Sequence, residues 1–258
     1  MKNRKAGPSP LFRRLARWHQ WAGLGGALFI MMLVVTGVLI NHSAQFAFEK
    51  TKVATGWLLD WYGIGAPVVE HGFHVGRDWI VQAEKRLYLD RREIGRSEAE
   101  VLGAVQVGNE MAVATTDHLM ILDARGNPLE QLGHEHGLPG GIMQIGKRGS
   151  YLTLRSHDGE YRAQIDVLHW EKKTATGADW SRSETLPEGL GRQIAADARS
   201  KTLNVDRVLR DIHTGRILGA WGMLFADALA IVLLALAITG VWVWWRARTE
   251  FPGRKKQK

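Results

Sequence analysis

None of the 258 residues is a cysteine. Disulfides, Cys-ligated zinc, iron–sulfur clusters and the C-x-x-C-H attachment of c-type haem are thereby excluded. The middle of the chain also lacks an excess of basic charge, although the formal net charge is +8. Six cations precede Trp18 with no acid among them, and six more lie from Arg246 onward against Glu250 alone. Between Ser43 and Arg216 the remaining 22 basic residues meet 24 acids, a net of −2. A nucleic-acid binder carries its basic stripe on the folded part, so nucleic acid is not an expected partner. The tails contain no flavin- or nicotinamide-binding glycine motif and are too short for a reductase domain.

What the chain does have is two long apolar runs. Trp21–Ile40, "WAGLGGALFIMMLVVTGVLI", is 20 residues without a charge; at 1.5 Å per residue it spans about 30 Å, the hydrocarbon thickness of a bilayer. A cleaved signal peptide would have an apolar core of roughly 7–15 residues followed by a small-residue cleavage site. "NHSAQFAFE" offers no such site, so an uncleaved helix is expected. The second run lies within Ile217–Trp245 and carries one charge, Asp227. Trp242, Trp244 and Trp245 beside Arg246 and Arg248 form an aromatic belt backed by cations, as Trp18 and Trp21 do beside Arg17. Cations flank both outer ends, which places both termini in the cytoplasm and the middle across the membrane, in the periplasm of a bacterium.

The middle, Glu49–Ile212, is too long for a connecting loop. "IVQAEKRLYLD" (80–90), "AVATTDHLMILD" (112–123) and "YLTLRSHDGEYRAQID" (151–166) share a strand–turn–strand layout closed by Asp90, Asp123 and Asp166. Three hairpins do not close a propeller, so an antiparallel sheet or meander is expected. From Leu186 to Ile212 the pattern turns helical. The expected fold is a membrane-anchored α+β protein, two transmembrane helices flanking a mostly antiparallel β extracytoplasmic domain. Its parts are a basic tail (1–17), the first span (18–42), the β-rich domain (43–212), the second span (213–245) and a second basic tail (246–258).

Ten histidines in a cysteine-free membrane chain raise metal or haem as the first question. His134 and His136, with Glu135, have metal-ligand spacing, but their glycine-rich surroundings read as a solvated loop. His71 and His74 would share a helix face, which Gly72 argues against. His118, His157 and His169 read as turn or strand-surface residues. Three others stand at membrane boundaries: His19 before the first span, His42 after it, and His213 before the second. Bis-histidine ligation of b-type haem needs two imidazoles about 4 Å apart and no cysteine. His19 and His42 lie 23 residues apart, about 34 Å along a helix, too far to share an iron. If Trp245 is level with His19, His213 stands nine residues, about 13 Å, beyond the level of His42. A bend at Gly215, Gly219 and Gly222 would close that gap, or a partner chain would supply the second ligand. All three histidines equally suit the amphipathic boundary occupied by the tryptophans. Asp227 falls about 7 Å inside the level of His42: either an intramembrane functional acid, or a residue at a wet interface if the span starts at Ala228. Thr36-Gly37 and Thr239-Gly240 repeat a small-residue pair, expected to let the spans pack together or dimerise.

Both ends of the chain resemble the PepSY-associated transmembrane-helix family. "RLARWHQWAGLGGALFIMMLVVTGVLINHS" is similar to its first helix, with an Arg-rich lead, His-x-Trp-x-Gly, Thr-Gly and Asn-His. "LRDIHTGRILGAWGMLFADALAIVLLALAITGVWVWWRAR" is similar to its closing helix. The resemblance implies a bacterial inner-membrane protein. Larger relatives, with four or more spans, are implicated in periplasmic reduction of iron–siderophore complexes, using b-type haems held by helix histidines. His19, His42 and His213 match family positions, which makes them candidate haem ligands. The middle shows no clear PepSY domain. Three functions follow as expectations: an accessory protein of iron or siderophore uptake that presents its β-rich domain to the periplasm; a b-haem electron-transfer subunit; and a periplasmic sensor or peptidase-control module. The expected partners are the lipid bilayer and a second copy or another inner-membrane protein.

Overall fold

The computed structural model describes residues 10–165, 167, 169–174 and 177–250. Asp166 and the outer parts of both tails lie outside these residues. The chain divides into two compact units, residues 1–53 with 203–258, and residues 54–202.

The first unit is helical. Helix α1 (Pro10–Asn41) opens on a proline, whose missing N–H costs nothing at a helix start. Helix α5 (Gly219–Glu250) runs antiparallel to it: Gly26 meets Leu233, and His19, earlier in α1, meets Thr239, later in α5. The residues of α1 turned away from its exposed face include Leu15, His19, Ala22, Gly26, Phe29, Leu33, Thr36 and Ile40. Those of α5 include Gly222, Ala226, Leu229, Leu233, Leu236, Gly240 and Val243. Both series step alternately by three and four residues, the heptad seam of a close helix pair. The other faces are apolar and open, with Leu28 76% and Ile231 68% exposed. Only 11% and 6% of the most apolar windows are covered by protein, and their mean hydropathy is 2.4. The core helix of a soluble protein would be mostly buried. These two have lipid as their solvent, and they are the membrane spans.

Helix α4 (Val205–His213) packs on α1 and belongs to the same unit. Its N-cap Asn204 accepts the Arg207 N–H at 2.9 Å. Asp206 is the clamp: Ser43 Oγ, just past α1, donates to Asp206 Oδ1 at 2.6 Å, and Arg210 Nε donates to Oδ2 at 2.7 Å. The Arg210 and Ser43 donors hold the Asp206 carboxyl below its ordinary value. Between α4 and α5 the chain doubles back through Gly215 (φ 77°), a 3₁₀ turn at Arg216–Leu218, and Gly219 (φ 67°). The Gly215 carbonyl oxygen rests directly on the Cα of Gly222, where any Cβ would collide with it. The turn requires two glycines face to face.

The second unit is built of three consecutive antiparallel meanders. The first is β1 (His71–Val75), β2 (Asp78–Ala83), β3 (Arg86–Leu89) and β4 (Arg92–Arg96). The second is β5 (Gly103–Val107), β6 (Glu110–Ala114), β7 (Leu119–Asp123) and β8 (Pro128–Leu132). The third is β9 (Ile142–Arg148), β10 (Tyr151–Ser156), β11 (Gly159–Gln164) and β12 (Glu171–Lys172). Each expected hairpin is the middle pair of its meander: β2–β3, β6–β7 and β10–β11. Two short late strands complete the sheets, β13 (Asp179–Trp180) beside β9 and β14 (Ser183–Thr185) beside β1. The membrane-anchored α+β layout with a mostly antiparallel domain is thus the observed one.

Two of the closing aspartates, Asp90 and Asp123, accept main-chain N–H groups. Asp123 Oδ1 accepts the N–H groups of Arg125 and Asn127, each at 2.8 Å, and Asp90 Oδ1 accepts that of Trp79 at 2.9 Å. Val105, Leu119, Ile145, Leu152 and Leu154 fill the core between the second and third meanders. The first meander carries helix α3 (Leu190–Ser200) over Val81 and Tyr88, with Ile194 and Ala198 as the buried face. Beside that contact lies an ionic network. Glu93 receives Arg86 at 2.6 Å and Lys201 at 2.9 Å, and Lys201 also meets Asp197 at 2.5 Å. Tyr88 donates its hydroxyl to Asp197 at 2.9 Å; burial and this carboxylate raise the phenol above its ordinary value.

Candidate functional site

Two histidines of the helical unit are held in the same way at opposite ends of the spans. His19 Nδ1 lies 3.1 Å from Thr239 Oγ1, and Thr239 donates its hydroxyl to the Ala235 carbonyl at 2.7 Å. His213 Nδ1 lies 2.8 Å from Thr36 Oγ1, and Thr36 donates to the Met32 carbonyl at 2.7 Å. A threonine hydroxyl has one hydrogen, already spent on its own helix four residues back. Its oxygen therefore accepts from the imidazole, and Nδ1 carries the proton in both rings. In the neutral ring Nε2 keeps its lone pair.

The glycine after each threonine lies beside the same ring. A Cβ on Gly240 would stand 3.1 Å from His19 Cε1, and one on Gly37 would stand 3.6 Å from His213 Cε1. Threonine holds each ring; Gly240 also makes room for His19, whereas a Cβ on Gly37 would reach only ordinary contact with His213. The two Thr-Gly pairs were expected to serve close packing of the spans, and here each also receives a histidine. The available signal was positional: one Thr-Gly pair per span, and one boundary histidine facing each.

His213 stands at the level of Thr36, not beyond His42. The doubled-back turn at Gly215–Gly222 removes the offset that a straight helix would impose. His42 lies six residues past Thr36, about 9 Å along α1, and its Nδ1 is 2.9 Å from Gln45 Oε1. No described hydrogen bond joins His42 to His213. His19 and Thr36 are 17 residues apart, so the two stations are separated by about 25 Å. Asp227 is exposed on α5, off the seam. It lies five residues, about 7.5 Å, along α5 from Gly222, and among the described residues no hydrogen bond or ion pair reaches it.

The other histidines sit in the β unit. His134 and His136 occupy a 3₁₀ turn, where His136 Nδ1 accepts the Gly133 N–H at 3.2 Å. His71 and His74 lie on strand β1, not a helix, and three residues apart on a strand they point to opposite faces. The His74 ring rests against Trp79 at 5.0 Å. Among the described residues no group of three or more His, Asp or Glu is placed to hold a metal ion.

A family model described as "PepSY-associated TM region" matches residues 16–258. No curated protein matches the chain. Among solved structures, the N-terminal domain of Nup159 aligns at 17% identity and a TM-score of 0.28. That alignment covers 45% of this chain and 30% of the other, a likeness too low to argue a shared fold.

Proposed function

This chain belongs to the family of the PepSY-associated TM region, and on that premise we propose that it is an inner-membrane accessory protein of bacterial iron or siderophore uptake. Both termini lie in the cytoplasm, and residues 43–212 are presented to the periplasm. The positive-inside distribution of tail cations supports this orientation, and the family resemblance supports the link to iron. The observation that carries the accessory reading is the spacing of the seam histidines, whose two stations lie about 25 Å apart and share no iron within the chain. His19 and His213 are each already paired inside the chain, with Thr239 and Thr36, so they bind the helices to one another. The spans are an anchor, and the β unit is what they display.

One observation favours the b-haem alternative. In both stations the ring nitrogen engaged is Nδ1, and a fixed Nδ1–H is how ligating histidines are oriented with Nε2 toward a metal. Yet a single chain does not complete the site. A second axial imidazole must stand about 4 Å away across the iron, and the two stations lie about 25 Å apart. Each iron would take one ligand from this chain and the other from a second copy or another protein.

The absorption spectrum of the protein purified in mild detergent tests the choice. The accessory reading expects no Soret band. A band that is present, and is lost in His19→Ala or His213→Ala, replaces that reading with the haem one.

A further inference from the structure

Helix α2 (Gly56–Trp61), "GWLLDW", is short but firmly held. Leu59 on one side is 2% exposed. Asp60 pairs with Arg199 of α3, whose Nε donates to the Ile64 carbonyl at 2.8 Å. Two main-chain bonds close its end, Tyr62 N–H to the Leu58 carbonyl at 3.1 Å and Ile64 N–H to the Leu59 carbonyl at 2.9 Å. The other side carries Trp57 and Trp61, one helical turn apart, with 69% and 60% of their surfaces exposed. A water-facing helix gains nothing from two exposed indoles, whereas the headgroup layer of a bilayer takes up both the ring and its N–H.

The chain leading to α2 is tied to the membrane unit. Lys52 bridges to Asn204, Val53 N–H donates to the Leu203 carbonyl at 3.0 Å, and Val205 N–H to the Thr51 carbonyl at 3.1 Å. Residues 51–53 are therefore fastened to the start of α4. That helix has nine residues, so its start lies no more than about 13 Å from the level of His213 and Thr36. Ile40, where the apolar run ends, is already about 6 Å along the same direction. The start of α4 thus stands within about 8 Å of the hydrocarbon edge, the depth of the headgroup layer. Gly56 follows Val53 by three residues, about 10 Å of chain at most.

We propose that α2 is an interfacial anchor whose Trp57 and Trp61 side chains insert into the headgroup layer of the bilayer that α1 and α5 cross. The proposal rests on the two spans alone and holds whichever side of the membrane the β unit occupies.

The absence of cysteine makes the test direct. A side chain at Gly56 meets nothing within 4 Å, so Gly56→Cys takes a nitroxide label with both tryptophans in place. Glu130→Cys, on the exposed strand β8, serves as the aqueous reference. Both full-length proteins are measured by electron paramagnetic resonance in phosphatidylcholine–phosphatidylglycerol nanodiscs, with oxygen and a nickel chelate as colliders. The label at 56 is expected to favour oxygen severalfold relative to the label at 130. Trp57→Ser with Trp61→Ser should return the ratio at 56 to that of 130. Equal ratios with the tryptophans present, a ratio untouched by the double serine substitution, or exclusion of both colliders by a protein contact would each overturn the proposal.

Discussion

Replacing Gly222 by valine is expected to open the doubled-back turn and release His213 from Thr36. The new Cβ would collide with the Gly215 carbonyl oxygen and stand 2.7 Å from Leu218 Cβ. The first obstacle is backbone, which no rotamer change relieves, and Gly215 is itself fixed at φ 77°. Overpacking of this kind costs about 3 kcal/mol when backbone must move. For a chain of this size that corresponds to a fall in Tm of roughly 6–12 °C, read by circular dichroism of the detergent-solubilised protein. Gly25→Val is the control: a Cβ there meets nothing within 4 Å, and the midpoint should stay within about 2 °C, as for other substitutions that touch nothing. An unchanged midpoint in Gly222→Val would mean that the turn does not depend on the glycine contact.

Glu93→Ala is the second large effect, and it falls in the β unit. Glu93 sits between Arg86, whose side chain is 10% exposed, and Lys201 at 29%. Removing the acid leaves the nearly buried Arg86 without its carboxylate, while Lys201 keeps Asp197, a loss of about 3 kcal/mol. The pH dependence follows from the same geometry. Burial raises the Glu93 carboxyl, but hydrogen bonds from Lys201 and Arg86 outweigh it and hold the group below its ordinary 4.5. A depressed folded-state value means that the contribution is complete above the unfolded value near 4.5. It is lost as the pH falls through the folded one. Thermal or denaturant unfolding between pH 7 and pH 3 should show the wild type losing this part of its stability below about pH 4.5. Glu93→Ala should start lower and show a shallower acid slope. Parallel curves would rule out Glu93 as the source.

The spans and the three hairpins were legible in the sequence because their signals are local. A charge-free run of 20 residues, or Asp158-Gly159 between two alternating runs, carries its meaning within a short window. The stations were not legible, for two physical reasons. Thr36 and His213 are 177 residues apart and Thr239 and His19 are 220, so only the packed helices bring them together. Counting residues along a straight helix also places His213 too far out. The error is corrected by Gly215, whose left-handed backbone the sequence permitted without requiring. His42 illustrates the opposite hazard. It stands at a family position, yet its ring nitrogen faces Gln45, three residues on, and not the second span. Strands β13 and β14, of two and three residues, pair with distant strands and offer no periodicity of their own.

The account depends on the chain passing through the bilayer twice, with the β unit on the far side from both tails. Single-cysteine variants Glu130→Cys and Gln257→Cys, in a chain that has no other thiol, test this most directly with a membrane-impermeant maleimide. In intact spheroplasts position 130 should label, and position 257 should label only after lysis. Labelling of 257 with 130 protected, or of both before lysis, would contradict it.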